Sequence, residues 1–222
     1  HSKATVEKYL REVTQFSTWL CGANVTKAAA TQWKEHLIAH GYNSSTINGK
    51  LTALNHFFEF LGWTEFQVKY LKLQRRLFRD DSRELTKHEY ERLIYTADTS
   101  GKTRLSLVME TICATGIRVS EVKYITVEAV KCGKAEVSLK GKIRTILIPR
   151  KLCRKLLKYA QKNSIASGEI FLTRGGKSLN RKQIWAEMKI ICEAAGIKPS
   201  EVFPHNLRHL FAKTFYRICR DV

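Results

Sequence analysis

The chain has 222 residues, 44% of them hydrophobic and 10% aromatic, which suits one large or two ordinary folded domains and excludes a disordered chain. The longest nearly uncharged stretch, residues 105–117, contains Glu110 and is too short to cross a bilayer, so we expect no membrane anchor. The 39 Lys and Arg residues exceed the 20 Asp and Glu residues by a net charge of +19, which favours a polyanionic partner, nucleic acid first, over a merely solvated basic surface.

The N-terminus and the cysteines indicate a cytoplasmic protein. Residues 1–10 carry charges where a signal peptide needs an apolar segment. The six cysteines are far apart and form no C-x-x-C pair, which is typical of reduced thiols rather than a metal site. We expect no metal, no cofactor and no small-molecule substrate.

The first 73 residues are predicted to form a compact helical bundle. Apolar residues recur at spacings of three and four between residues 6 and 20 and form the stripe of a first helix, which Gly22 ends. A second helix follows the predicted N-cap Thr26 and ends at Gly41, and a third ends at Gly62.

A charged connection separates this bundle from a second domain. The stretch KYLKLQRRLFRDDSR, residues 69–83, loses the helical periodicity, and we predict a linker at residues 74–83. Thr86 is followed by Glu89 in a capping-box pattern, so the second domain, residues 84–222, is predicted to begin with a helix.

The second domain is predicted to be mostly helical with one small antiparallel sheet. An apolar helix spans residues 103–115, and the segments AEVSLK and IRTILIP are predicted to form a hairpin closed at Gly141. Helices are predicted again in KLCRKLLKYAQKN, NRKQIWAEMKIICEAAG and HNLRHLFAKTFYRIC. The fold class is therefore expected to be mainly α, or α+β.

Two segments carry residues suited to a phosphate. In FPHNLRHLFAK, Pro204 predicts a helix start, and His205 and Arg208 share one helical face, while His209 is expected to be packed. Arg118 follows an apolar helix at a turn and needs a partner, which Glu121 can supply. Glu121 either satisfies Arg118 structurally or orients its guanidinium toward a bound phosphate.

Together, ATGIRVSEV, the SLKGKIRTILIP hairpin and HNLRH resemble the tyrosine recombinase family of phage-type and transposon integrases and Xer proteins. The first bundle also resembles that family's core-binding domain, and the rest its catalytic domain. The resemblance implies a site-specific recombinase that cleaves and rejoins DNA strands through a covalent 3′-phosphotyrosyl link. It implies double-stranded DNA as partner, assembly as a homodimer or homotetramer on DNA, and a prokaryotic, nucleoid-associated location.

The resemblance assigns catalytic roles residue by residue. Arg118 and Arg208 match the two catalytic arginines, Glu121 supports Arg118, and His205 matches the His of the His-x-x-Arg pair. Lys140 matches the catalytic lysine in the hairpin turn, with Lys142 as a competing choice because the turn length differs slightly from the common pattern.

The C-terminal part departs from the family pattern. The family's nucleophilic Tyr lies some two to three dozen residues beyond the second arginine, whereas this sequence ends at Val222, fourteen residues after Arg208. We therefore expect the nucleophile to be absent and this stretch not to cleave DNA by itself, with Tyr124, Tyr159 and Tyr216 structural. Three alternatives stay open: a type IB topoisomerase-like enzyme, a non-catalytic, sequence-specific DNA-binding protein, and a plain polyanion-binding or RNA-binding protein.

Five basic residues are predicted to contact DNA phosphates. They lie on the third helix, in the linker and at the start of the NRKQIW helix: Lys50, Arg75, Arg76, Arg181 and Lys182. The linker pair is favoured because a two-domain clamp around a duplex must pass its connection along the backbone.

Overall fold

The computed structural model describes residues 3–73, 84–139 and 141–220, with the side chains of residues 139 and 218–220 left out. The chain divides into two compact units, His1–Phe78 and Arg79–Val222. The predicted linker, residues 74–83, lies outside the described residues, so its bounds stay a prediction.

The N-terminal unit is a helical bundle with an aromatic core. Its helices are α1 (Lys3–Leu20), α2 (Lys27–Ala39) and α3 (Ser44–Phe60), followed by a short 3-10 helix, Thr64–Phe66. The core is apolar and nearly inaccessible, and its largest members are Phe16, Trp33, Leu37, Ile47, Leu51, Leu54 and Phe58. Edge-to-face contacts of Phe16 with Trp33 and Phe58 tie the three helices together.

The C-terminal unit is mostly helical. Its elements are α4 (Lys87–Thr99), α5 (Thr103–Thr115), a 3-10 helix (Val119–Tyr124), α6 (Val127–Cys132), β1 (Lys134–Leu139), β2 (Lys142–Leu147), α7 (Arg150–Lys162), α8 (Arg181–Ala194) and α9 (Pro204–Arg220). The capping box predicted for α4 is present, because Thr86 and Glu89 bond to each other's backbone N–H. This mainly helical architecture with one two-stranded antiparallel sheet confirms the predicted fold class.

The hairpin turns one face toward the core. Leu139 pairs with Lys142 across the turn, and Val137 pairs with Arg144 further along. Because side chains alternate between faces, Arg144 lies on the same face as buried Ile146, while Ile143 and Leu147 point outward and are 74% and 75% exposed. The register thus places a cation on the inner face.

Gly116, at the C-terminal end of α5, packs against α9. It ends α5 in the left-handed conformation with a φ of +62°, and the ring of Phe211 on α9 packs directly against its Cα. A Cβ at this position would lie 2.6 Å from the nearest ring atom of Phe211. Two constraints, the backbone conformation and the close packing, therefore require glycine here.

None of the helices in the described part of the chain combines the length and the apolar character that a bilayer crossing requires.

Replacement of Gly116 by Ala separates these two constraints when it is compared with Gly101→Ala. Gly101 also has a positive φ, +71°, but a Cβ there meets no atom within 4 Å. We expect Gly101→Ala to lower the free energy of unfolding by about 1 kcal/mol, from backbone strain alone, and Gly116→Ala by about 2–3 kcal/mol. Urea unfolding of both variants measures the difference. Equal losses of unfolding free energy in the two variants would show that the Phe211 ring moves aside at no energetic cost.

Candidate active site

The candidate site is built around the carboxylate of Glu121, which is fully buried in the 3-10 helix. The turn after Gly116 brings Arg118 to the start of that helix. The Arg118 backbone N–H donates to Glu121 Oε2 at 3.0 Å, and its Nη1 donates to Oε1 at 2.9 Å. One carboxylate therefore fixes both the backbone and the guanidinium of Arg118.

A second guanidinium reaches the same carboxylate from the sheet. Arg144 Nη2 on β2 donates to Glu121 Oε2 in an ion pair. The sequence motifs did not single out this residue. The available signal was the alternation in IRTILIP, because Arg144 lies two residues before Ile146 and so on the buried face.

Arg208 brings a third guanidinium from α9. Its Nη1 donates to the backbone carbonyl of Gly116, two residues before Arg118. Burial lowers the pKa of Arg208, and the positive charges of Arg118 and Arg144 lower it further, while Glu121 opposes the shift. Arginine nevertheless stays protonated at neutral pH. The predicted pair Arg118 and Arg208 thus lies in one cluster.

His205 lies on α9 three residues before Arg208, and it is exposed. Its ring forms an edge-to-face contact with His209, with the centroids 4.3 Å apart. His209 is half-buried, and its predicted packing role stays a prediction. The shared helix places His205 within one turn of Arg208, and its role in the site stays a prediction.

The choice between the two hairpin lysines stays open. Lys140 lies outside the described residues, and Lys142 is exposed at the first position of β2. Among the tyrosines, Tyr124 donates its hydroxyl to the Ser138 carbonyl, Tyr159 packs against Phe171, and Tyr216 is 60% exposed on α9.

The arrangement suits a phosphodiester. Three guanidiniums and one carboxylate leave an excess of positive charge, and the Arg118 side chain is 56% exposed, so it can meet a ligand. Guanidinium groups donate in a fork that matches two phosphate oxygens. Across the described residues, no group of three or more His, Cys, Asp or Glu side chains could hold a metal ion.

Comparisons with known proteins identify the family of this chain. A model described as phage integrase family matches residues 83–221, and one described as phage integrase, N-terminal SAM-like domain, matches residues 1–65. The tyrosine recombinase XerA of Pyrococcus furiosus is 30% identical over 220 residues, which cover 95% of this chain and 73% of that relative. This chain belongs to the phage integrase family.

A second relative is also a tyrosine recombinase. The tyrosine recombinase XerC of Roseiflexus castenholzii is 29% identical over 234 residues, covering 95% of this chain and 74% of the relative. The family predicted from the three sequence motifs is therefore confirmed.

Solved integrase structures share the fold. A lambda integrase dimer bound to a COC′ core site matches with a TM-score of 0.73 at 18% identity, covering 98% of this chain and 81% of that one. The XerA recombinase crystal structure matches with a TM-score of 0.53 at 21% identity, covering 98% and 78%.

The predicted DNA contacts of this integrase chain fall into three groups. Arg181 and Lys182 are exposed in the first turn of α8, which Asn180 and Gln183 cap reciprocally. Lys50 is 9% exposed and its ammonium pairs with Glu12 at 2.5 Å. This ion pair gives the Lys50 ammonium a partner within the N-terminal unit, and its contact with a DNA phosphate stays a prediction. The remaining two, Arg75 and Arg76, lie outside the described residues.

The arginine contacts of Glu121 favour its ionised form. Burial by itself raises the pKa of this carboxyl, but the hydrogen bonds from Arg118 and the charges of Arg144 and Arg118 outweigh it and lower the pKa. A lowered folded-state pKa means that the ionised carboxylate stabilises the fold above the unfolded-state pKa, about 4.3. That contribution is lost as the pH falls through the lowered folded-state value.

We expect Glu121→Gln to lower the free energy of unfolding at neutral pH by about 1–2 kcal/mol, because Arg118 and Arg144 lose their buried counter-charge while solvent still screens their partly exposed guanidiniums. The loss should shrink at acidic pH, where the native carboxyl is also protonated. Urea unfolding at a series of pH values measures both effects.

The matched control for this prediction is Glu91→Gln. Glu91 is 59% exposed and lies 3.8 Å from Lys87, so its loss should change the free energy of unfolding by less than about 0.5 kcal/mol. An equal, pH-independent effect of the two substitutions would contradict the role given to Glu121.

Proposed function

We propose that this integrase-family chain belongs to a site-specific recombinase that cleaves and rejoins DNA strands through a covalent 3′-phosphotyrosyl intermediate. The observation that carries the proposal is the meeting of three guanidiniums, from Arg118, Arg144 and Arg208, around one buried carboxylate. These arginines come from a turn, a strand and a helix that are far apart in the sequence.

The proposed chemistry is attack by a tyrosine hydroxyl on a backbone phosphodiester, which forms the phosphotyrosyl bond and breaks the bond from phosphorus to the 5′ oxygen. Negative charge on the non-bridging oxygens grows in the transition state, and preformed guanidinium donors stabilise it there more than in the ground state. Arg118 and Arg208 supply these donors, and Glu121 holds Arg118 in place. Lys140, or Lys142 in its stead, protonates the departing 5′ oxygen. His205 hydrogen-bonds the phosphate or assists the nucleophile.

The proposed partner is double-stranded DNA, with two or four copies of the protein assembled on it at a prokaryotic nucleoid. The net charge of +19 supports a polyanionic partner. Lambda integrase has been solved as a dimer bound to a core site and as a tetramer bound to a Holliday junction. The fold that those proteins share with this chain supports a similar assembly here.

Arg118→Ala tests the proposed chemistry. In the protein expressed from its whole reading frame, on a nicked suicide duplex carrying its recombination site, we expect the rate of covalent adduct formation to fall by about 10²–10³-fold, because a transition-state donor is lost. DNA binding, followed by gel shift, should be largely retained.

The control for this experiment is Arg154→Ala, which removes an exposed charge from α7 and should leave the adduct rate unchanged. A native protein that binds the site but forms no adduct would instead support a non-catalytic DNA-binding protein. Relaxation of supercoiled DNA lacking the site would support a topoisomerase-like activity.

Arg181→Gln and Lys182→Gln test the proposed DNA contact at the start of α8. Each lost phosphate contact should make the slope of log affinity against log salt concentration shallower by about 0.9. Fluorescence anisotropy with a labelled duplex over a salt series measures the slope. The control is Lys155→Gln, because Lys155 is already paired with Glu110 at 2.6 Å. Salt slopes equal to that of the Lys155→Gln control would show that Arg181 and Lys182 do not contact DNA phosphates.

A further inference from the structure

The Glu121 carboxylate is shared by two arginines that differ in their surroundings. Its Oε1 accepts from Arg118 Nη1, and its Oε2 accepts from the Arg118 backbone N–H and from Arg144 Nη2. The Arg118 side chain is 56% exposed, the Arg144 side chain is 37% exposed, and Glu121 is not exposed at all. Arg118 therefore faces the solvent side of this triad.

The net charge of the triad formed by Arg118, Arg144 and Glu121 depends on Arg144. Arg118 and Glu121 alone form a pair with no net charge, and a neutral pair attracts a phosphate only weakly. A second guanidinium on the same carboxylate gives the triad one net positive charge. Because Coulomb energies are larger in a partly buried site than in water, this one charge matters for an anionic ligand.

Part of the Arg144 guanidinium is closed to DNA, although 37% of the side chain is exposed. Its side chain lies on the inner face of the hairpin, opposite Val137. Its Nε is buried and has no acceptor among the described residues. One edge of its guanidinium is thus closed to a DNA phosphate, while another donates to Glu121.

We propose that Arg144 is a positioning residue that offsets the negative charge of Glu121, so that the Arg118–Glu121 pair presents a net positive charge to the scissile phosphate. The inference rests on the proposed recombinase function and adds to it the reason why a catalytic arginine can pair with a buried carboxylate. Glu121 fixes the geometry of Arg118, and Arg144 cancels the electrostatic cost of that arrangement.

A double-mutant cycle on the protein from its whole reading frame tests this role, with covalent adduct formation on the suicide duplex as the readout. Arg144→Gln should slow adduct formation by about tenfold or more, because Glu121 then neutralises Arg118. Arg144→Lys keeps the charge and should restore most of the rate. Arg154→Gln makes the same charge change at an exposed position of α7 and should have no effect.

The decisive comparison is made without the carboxylate. In a Glu121→Gln background, Arg144 has no charge to offset, so adding Arg144→Gln should change the rate by less than about threefold. This comparison remains informative if Arg144→Gln alone fails to fold, which thermal unfolding of each variant reports.

Two results would overturn the inference: an unaffected rate in Arg144→Gln, or an equally large loss in the native and Glu121→Gln backgrounds. The second result would mean that Arg144 contacts the phosphate itself or acts by packing alone. A native protein that forms no adduct would instead count against the proposed recombinase function, so the two failures are distinguishable.

Discussion

The buried carboxylate of Glu121 is the constraint on which the site depends. A carboxylate removed from water is costly unless it is paired, and here Arg118 and Arg144 pair with it from two different elements. Its hydrogen bonds hold the turn after α5 against the inner face of the hairpin. Buried ion pairs often add little net stability compared with apolar packing. The benefit of this one is a fixed position for Arg118, the arginine proposed to contact the phosphate.

Gly116 connects this site to the helical fold. Its carbonyl accepts from Arg208, and its Cα packs against the Phe211 ring, three residues further along α9. Residues three apart share a helical face, so one face of α9 makes both contacts. The packing of α9 on α5 and the placement of the Arg208 guanidinium therefore both depend on the same glycine. A change that shifts the helix also moves the guanidinium.

The positively charged side chains of Arg118, Arg144 and Arg208 lie close together in the folded chain. Burial and the neighbouring Arg118 and Arg144 lower the pKa of Arg208, which reports that its charged form is less favourable here than in water. In the proposed function, a phosphate bound at these arginines would relieve this repulsion. The hydrophobic core of the C-terminal unit supports that arrangement, and the N-terminal unit has an aromatic core of its own.

The helical periodicity, the caps and the hairpin could be predicted because each depends on residues close together in the chain, and the order of the three motifs is read directly from the residues. The sequence by itself therefore predicted the fold class, the family and the pair Arg118 and Arg208. Only the tertiary structure showed that Arg144 and Arg118 pair with the same carboxylate, Glu121, and that Lys50 forms an ion pair with Glu12. Both outcomes depend on strand register and on packing between distant segments, since a charged residue has the same letter in the sequence whether it meets solvent, DNA or a buried carboxylate.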